Sequence, residues 1–106
     1  MAYKPMVIKK LITTKGTAER LTKFNILTPS VIIQANDDNT ADAGVFVGNS
    51  QVNYVLFNGI ELNLRESVTF SAVDPKSGKG LISLRDIWLD TDTDGEGVTA
   101  TYLEDV

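Results

Sequence analysis

Two neighbouring stretches of this chain alternate strictly between apolar and polar residues, and this alternation constrains the fold more than any other feature. They cover residues 60–65 and 67–72, and in each stretch the apolar side chains fall on one face. Successive side chains of a β-strand point to opposite faces, so both stretches predict strands with one buried face. Thr, Val and Ile supply 29 of the 106 residues, and β-branched side chains of this kind favour strands elsewhere in the chain.

Other short apolar segments, separated by turn residues, predict the remaining strands. In chain order they are residues 20–27, 30–35, 44–48, 54–57, 83–90 and 98–103. The second and third are continuous apolar runs, which predicts burial on both faces. Asn58-Gly59 is a hairpin signal. Residues 7–12 have a spacing that suits a short amphipathic helix, but the turn residues that follow and the β-branched content favour an extended segment.

About eight short strands at this spacing predict a single all-β domain, arranged as a β-sandwich that is jelly-roll-like. A chain of this length suits one domain. In a sandwich the core is built from the inward-facing side chains of two sheets. The predicted core consists of Ile32, Val45, Val47, Ile60, Leu62, Val68, Phe70, Ile87, Leu89, Val98 and Ala100.

The chain contains neither cysteine nor histidine, and this removes many kinds of enzyme site. Disulfides and thiolate metal sites need cysteine, while histidine triads, histidine-ligated zinc and imidazole acid–base catalysis need histidine. No apolar run approaches the roughly 20 residues of a transmembrane helix. We therefore expect a protein that is not an enzyme, uses no cofactor and has no membrane partner.

The spacing of Asp90, Asp92 and Asp94, followed by a glycine, matches the first half of a calcium-binding loop. The full pattern also needs a bidentate Glu at its twelfth position, which here is Thr101. The missing carboxylate would remove two oxygen ligands and one charge. We therefore expect a polar turn that holds no metal, with weak calcium binding by these residues as the alternative.

Other patterns point to chemistry less strongly. Residues 77–80 resemble part of a phosphate-binding loop, but the preceding glycine and the following Ser or Thr of that motif are missing. Glycoside hydrolysis needs a carboxylate pair at a suitable separation, and the candidates are Glu61 with Glu66 or Asp86 with Asp90. Exposed strands carry such charges routinely. We therefore predict no catalytic residue.

The net charge of −4 disfavours nucleic acid as a partner, because binding to phosphates depends on Lys and Arg. Aromatic side chains on strands usually lie in the core. A carbohydrate-binding platform would instead need two exposed, coplanar rings among Tyr3, Tyr54, Trp88 and Tyr102.

Charge is distributed unevenly along the chain. Residues 1–28 carry a net charge of +5 and residues 86–106 carry −7, which suits pairing within one fold or between neighbouring copies. Residues 1–10 combine three lysines with apolar residues and few turn signals. We predict that this segment is an arm that reaches a partner, while residues 11–106 form the β-sandwich domain. The alternative is an ordinary first strand.

Seven short strand-and-turn segments together carry a resemblance to known proteins. They are residues 12–18, 30–40, 44–50, 59–62, 66–70, 84–90 and 95–98. In this series the chain resembles a group of small virion proteins of tailed bacteriophages, over about residues 11–103. Two departures are visible: residues 40–43 lengthen the first polar loop, and Arg65 stands where a Pro-Gly turn is expected.

The resemblance implies a non-enzymatic, β-rich structural protein located in the virion. The role it implies is that of a capsid decoration or cement protein, bound to the major capsid protein or to other virion proteins on the outer head lattice. Analogy with other decoration proteins implies a homo-oligomer, with a trimer favoured. A tail or neck structural protein and a carbohydrate-binding β-sandwich module are the alternatives, and a small hydrolase that uses carboxylates is a weaker third.

Overall fold

The computed structural model describes residues 3–36, 39, 44–71 and 81–105, with Asp105 described by its backbone alone. Within these residues the chain is mostly strand, and its only helical element is a 3-10 turn at Leu84–Asp86. The strands are β1 (Tyr3–Leu11), β2 (Glu19–Arg20), β3 (Leu27–Thr28), β4 (Ser30–Ala35), β5 (Val45–Gly48), β6 (Ile60–Leu62), β7 (Ser67–Ser71), β8 (Ile82–Ser83), β9 (Trp88–Thr91) and β10 (Gly97–Asp105). This composition agrees with the predicted all-β class. Residues 77–80, which resemble part of a phosphate-binding loop, and the insertion at 40–43 lie outside the described residues.

Eight of the described strands form two four-stranded antiparallel sheets. Sheet A has the order β1-β10-β4-β7, and sheet B has the order β2-β9-β5-β6. A separate two-stranded ladder joins β3 to β8. In both sheets most neighbouring strands are distant in sequence, so the sheets are held together by long-range pairing.

One hydrophobic cluster draws on the inward-facing side chains of both sheets. Sheet A supplies Val31, Ile33, Ala35, Val98, Ala100 and Tyr102, and sheet B supplies Val45, Val47, Leu62 and Leu89. Most of the predicted core is therefore correct: Val45, Val47, Leu62, Ile87, Leu89, Val98 and Ala100 are buried, and Val68 and Phe70 are half-buried.

The core prediction is wrong at Ile32 and Ile60, which are 46% and 43% exposed. Strand β4 is buried on one face only, and its inward face carries Val31 and Ile33. Ile32 therefore points outward. Ile60 begins β6, the edge strand of sheet B, where a side chain has a neighbouring strand on one side only.

The predicted strand at residues 54–57 is also wrong, because this segment is a turn within the loop that joins β5 to β6. The backbones of Asn53 and Asn58 exchange two hydrogen bonds of 3.0 Å. The Asn53 side chain also accepts hydrogen bonds from the backbone N–H groups of Val55 and Leu56. These bonds close the chain into a short turn and leave its apolar side chains exposed.

Two predicted strands are interrupted. Within residues 20–27, Leu21 turns inward to the cluster, and Phe24 is exposed, so the alternation is not that of one continuous strand. Within residues 83–90, the 3-10 turn separates β8 from β9. Leu84 is fully buried in this turn, and the Leu84 backbone N–H donates a hydrogen bond to the carbonyl of Ile26.

Residues 3–11 form a strand that pairs along its whole length with β10, from Tyr3 opposite Asp105 to Leu11 opposite Gly97. The basic start and the acidic end of the chain therefore meet within one copy, and Lys4 lies 4.0 Å from Glu104. Gly97 permits this pairing, because a Cβ at that position would overlap the carbonyl oxygen of Lys10.

Candidate functional site

The outward side of sheet A is a broad face that is not covered by other described residues, and we call it the outer A face. Its central row runs across four strands through Val7, Thr101, Ile32 and Thr69, as the strand registers define. Val7 is 64% exposed and Ile32 is 46% exposed. An exposed row of β-branched side chains across four strands gives a continuous, weakly polar surface.

The rows on either side of the central one are mainly hydroxyl, amide and aliphatic. One row contains Lys9, Thr99, Gln34 and Ser67, and the other contains Pro5, Leu103, Ser30 and Ser71. Lys9 is the one charged residue among the described side chains of these three rows. The outer A face therefore suits contact with another surface better than it suits chemistry on a substrate.

One edge of this face is the free edge of β1. Gly97 and Leu103 direct their backbone hydrogen bonds away from β1, toward Asn36 and Thr28. Because hydrogen-bonded and non-bonded pairs alternate in an antiparallel ladder, the residues opposite them, Leu11 and Pro5, face the open edge. Pro5 has no backbone N–H to donate. Because it faces the open edge, no hydrogen bond between β1 and β10 is lost.

The outward side of sheet B is covered by loops, and Asp90 lies beneath them. This residue belongs to β9 and is fully buried, so the predicted polar turn of three aspartates is wrong at this position. Its carboxylate accepts hydrogen bonds of 2.9 Å from the backbone N–H groups of Gly16, Tyr54 and Thr91. These bonds fasten two separate loops to sheet B and occupy both carboxylate oxygens.

The other two aspartates of this motif behave differently. Asp92 and Asp94 are exposed, and Asp94 accepts a 2.7 Å hydrogen bond from the backbone N–H of Lys15. Among the residues that the structure describes, no three carboxylates are placed to hold a metal ion.

Among the carboxylates that the structure describes, Glu19 has the clearest electrostatic perturbation. Partial burial raises its pKa, but hydrogen bonds from the Thr14 backbone, Lys10 and Thr13, with the charge of Lys10, outweigh that effect and lower the pKa below its ordinary value of 4.5. The Lys10 ammonium lies 3.1 Å from one oxygen, and the other accepts three hydrogen bonds of 2.9–3.0 Å. This carboxylate is ionised and saturated, so it stabilises the 13–19 loop rather than transferring protons.

The four aromatic residues considered for carbohydrate binding do not form a platform. Tyr102 is buried, Tyr54 and Trp88 are half-buried, and Tyr3 alone among the four is exposed. The Arg20 guanidinium lies 4.9 Å from the centre of the Trp88 ring, a cation–π arrangement that occupies one face of the indole.

The exposed apolar turn on the β5–β6 loop was not anticipated as a surface feature. Val55, Leu56 and Phe57 are 63%, 74% and 76% exposed, and we call these three residues the apolar tip. The sequence signal for this turn is the pair Asn53 and Asn58, since asparagine side chains favour turns over strands.

Comparisons with known proteins assign no family. A scan against protein-family models, a search of curated proteins and a search of solved structures each give no match. No described segment forms a helix with the length and apolar character needed to cross a membrane.

Proposed function

We propose that this chain is a non-enzymatic structural protein of a tailed-phage virion, a capsid decoration or cement protein that binds the outer head lattice. The observation that carries the proposal is the outer A face, which exposes the Val7–Thr101–Ile32–Thr69 row across four strands. A continuous, weakly polar face of this kind suits contact with a second protein surface. The resemblance of the strand-and-turn segments supports the same role.

We also propose a β-sandwich with jelly-roll connectivity as the fold. Without the short β3–β8 ladder, the eight remaining strands numbered in chain order give the sheet orders 1-8-3-6 and 2-7-4-5. These orders fit a double-sheet jelly roll built from two Greek keys. The shared hydrophobic cluster supports face-to-face contact of the sheets.

The hydrogen bonding of two carboxylates favours this role over the hydrolase alternative. Asp90 is engaged by three backbone N–H groups and Glu19 by the 13–14 backbone and Lys10. A general acid needs a proton to donate, whereas the hydrogen bonds and the Lys10 charge at Glu19 lower the pKa of that carboxyl.

The first experiment is mass spectrometry and imaging of purified phage particles from the source of this sequence. The proposal expects the chain in the particle at a copy number set by the head lattice, and its absence would contradict the proposal. Its presence in the tail or neck would favour that alternative instead.

A binding assay tests the outer A face directly. Particles depleted of this chain are mixed with the labelled protein, and bound label is measured after sedimentation. Ile32→Lys should reduce attachment by tenfold or more, because a charge would be buried in a weakly polar contact. Gln51→Lys adds the same charge to an exposed residue of the β5–β6 loop and should leave attachment unchanged. Equal loss for both variants would show that net charge, not this face, controls binding.

A further inference from the structure

The apolar tip is a preorganised element and not a loosely held loop. Asn53 and Asn58 close it from both sides, and Tyr54 at its base is fastened to Asp90 of β9 by a 2.9 Å hydrogen bond. The Asn58 side chain donates a further hydrogen bond to the carbonyl of Gln51. A surface element held this firmly loses little conformational entropy when it binds.

The backbone at the tip is also strained. Phe57 has φ of 52°, a left-handed conformation that is unfavourable for a bulky aromatic residue. Its ring nevertheless remains 76% exposed, with an edge contact to Phe46 at 6.0 Å between ring centres. Backbone strain of this kind often accompanies a functional surface.

The same chain carries a cavity of suitable character. It has a volume of about 470 Å³ and is lined by Gly48, Asn49, Phe70, Ser71, Ile82, Ser83, Asp86 and Ile87. Its lining is mainly apolar, and none of the side chains that the structure describes fills it. This volume has room for one or two large apolar side chains, which the tip supplies in Leu56 and Phe57.

The tip and the cavity lie on different sides of sheet B. The tip contacts Phe46, which lies on the outward side next to Asp90, whereas Phe70 and Ile87 of the cavity belong to the cluster between the sheets. One copy therefore cannot place its tip in its own cavity. We propose that the apolar tip of one copy docks into this cavity of a second copy, giving head-to-tail self-association.

The uncharged tip suits the mainly apolar cavity of a second copy and argues against a lipid surface as its target. Residues 49–59 contain no charged side chain, whereas segments that bind membrane surfaces are typically rich in Lys and Arg around their apolar residues. A contact made by three side chains is smaller than the roughly 1,200 Å² of a stable interface. The association should therefore be reversible and concentration-dependent, and it closes into rings or extends into chains according to the rotation between copies.

The test is sedimentation analysis of the full chain across a range of concentrations. The wild type should associate as concentration rises. Leu56→Asp, which charges the tip, and Asp86→Trp, which fills the mouth of the cavity from an exposed position, should each remain monomeric. A mixture of these two variants should form a one-to-one complex and nothing larger, because only one intact tip and one intact cavity remain.

Matched controls identify the surfaces. Asp86→Asn keeps the size of the cavity mouth and should associate like the wild type, and so should Val7→Asp, which charges the outer A face. Ser83→Trp fills the cavity from a second position if Asp86→Trp does not fold, as judged by circular dichroism and urea unfolding.

Three results would overturn the proposal: a wild type that stays monomeric at millimolar concentration, association that survives both cavity-filling variants, and association lost in Val7→Asp. Sedimentation of a monomeric wild type with neutral phosphatidylcholine vesicles would instead show that the tip binds lipid. Since the virion role depends on the outer A face and is tested with particles, either proposal can fail while the other holds.

Discussion

The Oδ2 atom of Asp90 accepts a 2.9 Å hydrogen bond from the backbone N–H of Tyr54, and this bond fastens the base of the apolar tip to strand β9. The other carboxylate oxygen binds the backbone of Gly16 in a different loop. One fully buried side chain thus sets the position of both loops that cover sheet B.

Replacing Asp90 with Asn should destabilise the fold by about 1–3 kcal/mol, because the amide has one acceptor oxygen and turns its NH2 toward a backbone donor. Urea unfolding measures the change. Asp92→Asn, at the exposed neighbour, is the control and should shift stability by less than about 0.5 kcal/mol. Equal stability of Asp90→Asn and wild type would contradict the role given to this carboxylate.

Gly97→Ala should separate β1 from β10, since the added Cβ would overlap the carbonyl of Lys10 and approach Leu11 Cα at 2.9 Å. We expect a loss of about 1–3 kcal/mol and faster hydrogen exchange at the β1 amides of Ile8 and Lys10. Gly48→Ala is the control, because its nearest contacts are ordinary at 3.5 Å. Unchanged exchange in β1 would show that the strands adjust without separating.

Glu19 should make stability depend on pH in the acidic range. Its pKa in the folded protein is lowered below 4.5, so its contribution is fully present above the unfolded-state value and is lost as pH falls through the folded-state value. Urea midpoints measured from neutral to acidic pH should fall less steeply for Glu19→Gln than for the wild type. Parallel curves for the two proteins would contradict this assignment.

Removal of residues 1–10 should weaken the fold. Strand β1 pairs with β10 at nine positions and packs Met6 and Ile8 against the hydrophobic cluster. We expect a lower urea midpoint and a broader transition. An unchanged unfolding curve together with lost attachment to particles would instead support an arm that reaches a partner.

Calcium should leave the melting temperature unchanged, because both oxygens of Asp90 already accept backbone hydrogen bonds. Thermal unfolding with millimolar calcium and then with excess chelator measures this. A rise of several degrees that the chelator reverses would show that Asp92 and Asp94 bind the ion with other ligands.

The sequence predicts the strands well where alternation is strict, and poorly where an apolar run is continuous. In β7 the alternation correctly turns Val68 and Phe70 inward. In the run Val31-Ile32-Ile33 all three residues are apolar, so the pattern cannot say which face is buried. The register decides it, because Ile33 pairs with the buried Ala100 and Ile32 pairs with Thr101.

The candidate surfaces are formed by such long-range pairing, so local sequence patterns do not predict them. The central row of the outer A face joins residues as distant as Val7 and Thr101. Asp90 was visible as part of a calcium-like motif, but its actual partners, Gly16 and Tyr54, are 74 and 36 residues away. No spacing rule within one segment connects them.

Strand β10 comes last in the described chain, yet it lies in the interior of sheet A between β1 and β4. A ribosome therefore releases β1, β4 and β7 long before the strand that joins β1 to the other two exists. Until then β1 has no neighbour in this sheet, and Val31 and Ile33 of β4 have their β7 partners but lack their β10 partners. Folding of these sheets should thus be slow and dominated by one late event, the insertion of β10 between β1 and β4. The nascent chain is exposed to misassociation through its unpaired strands for that whole interval.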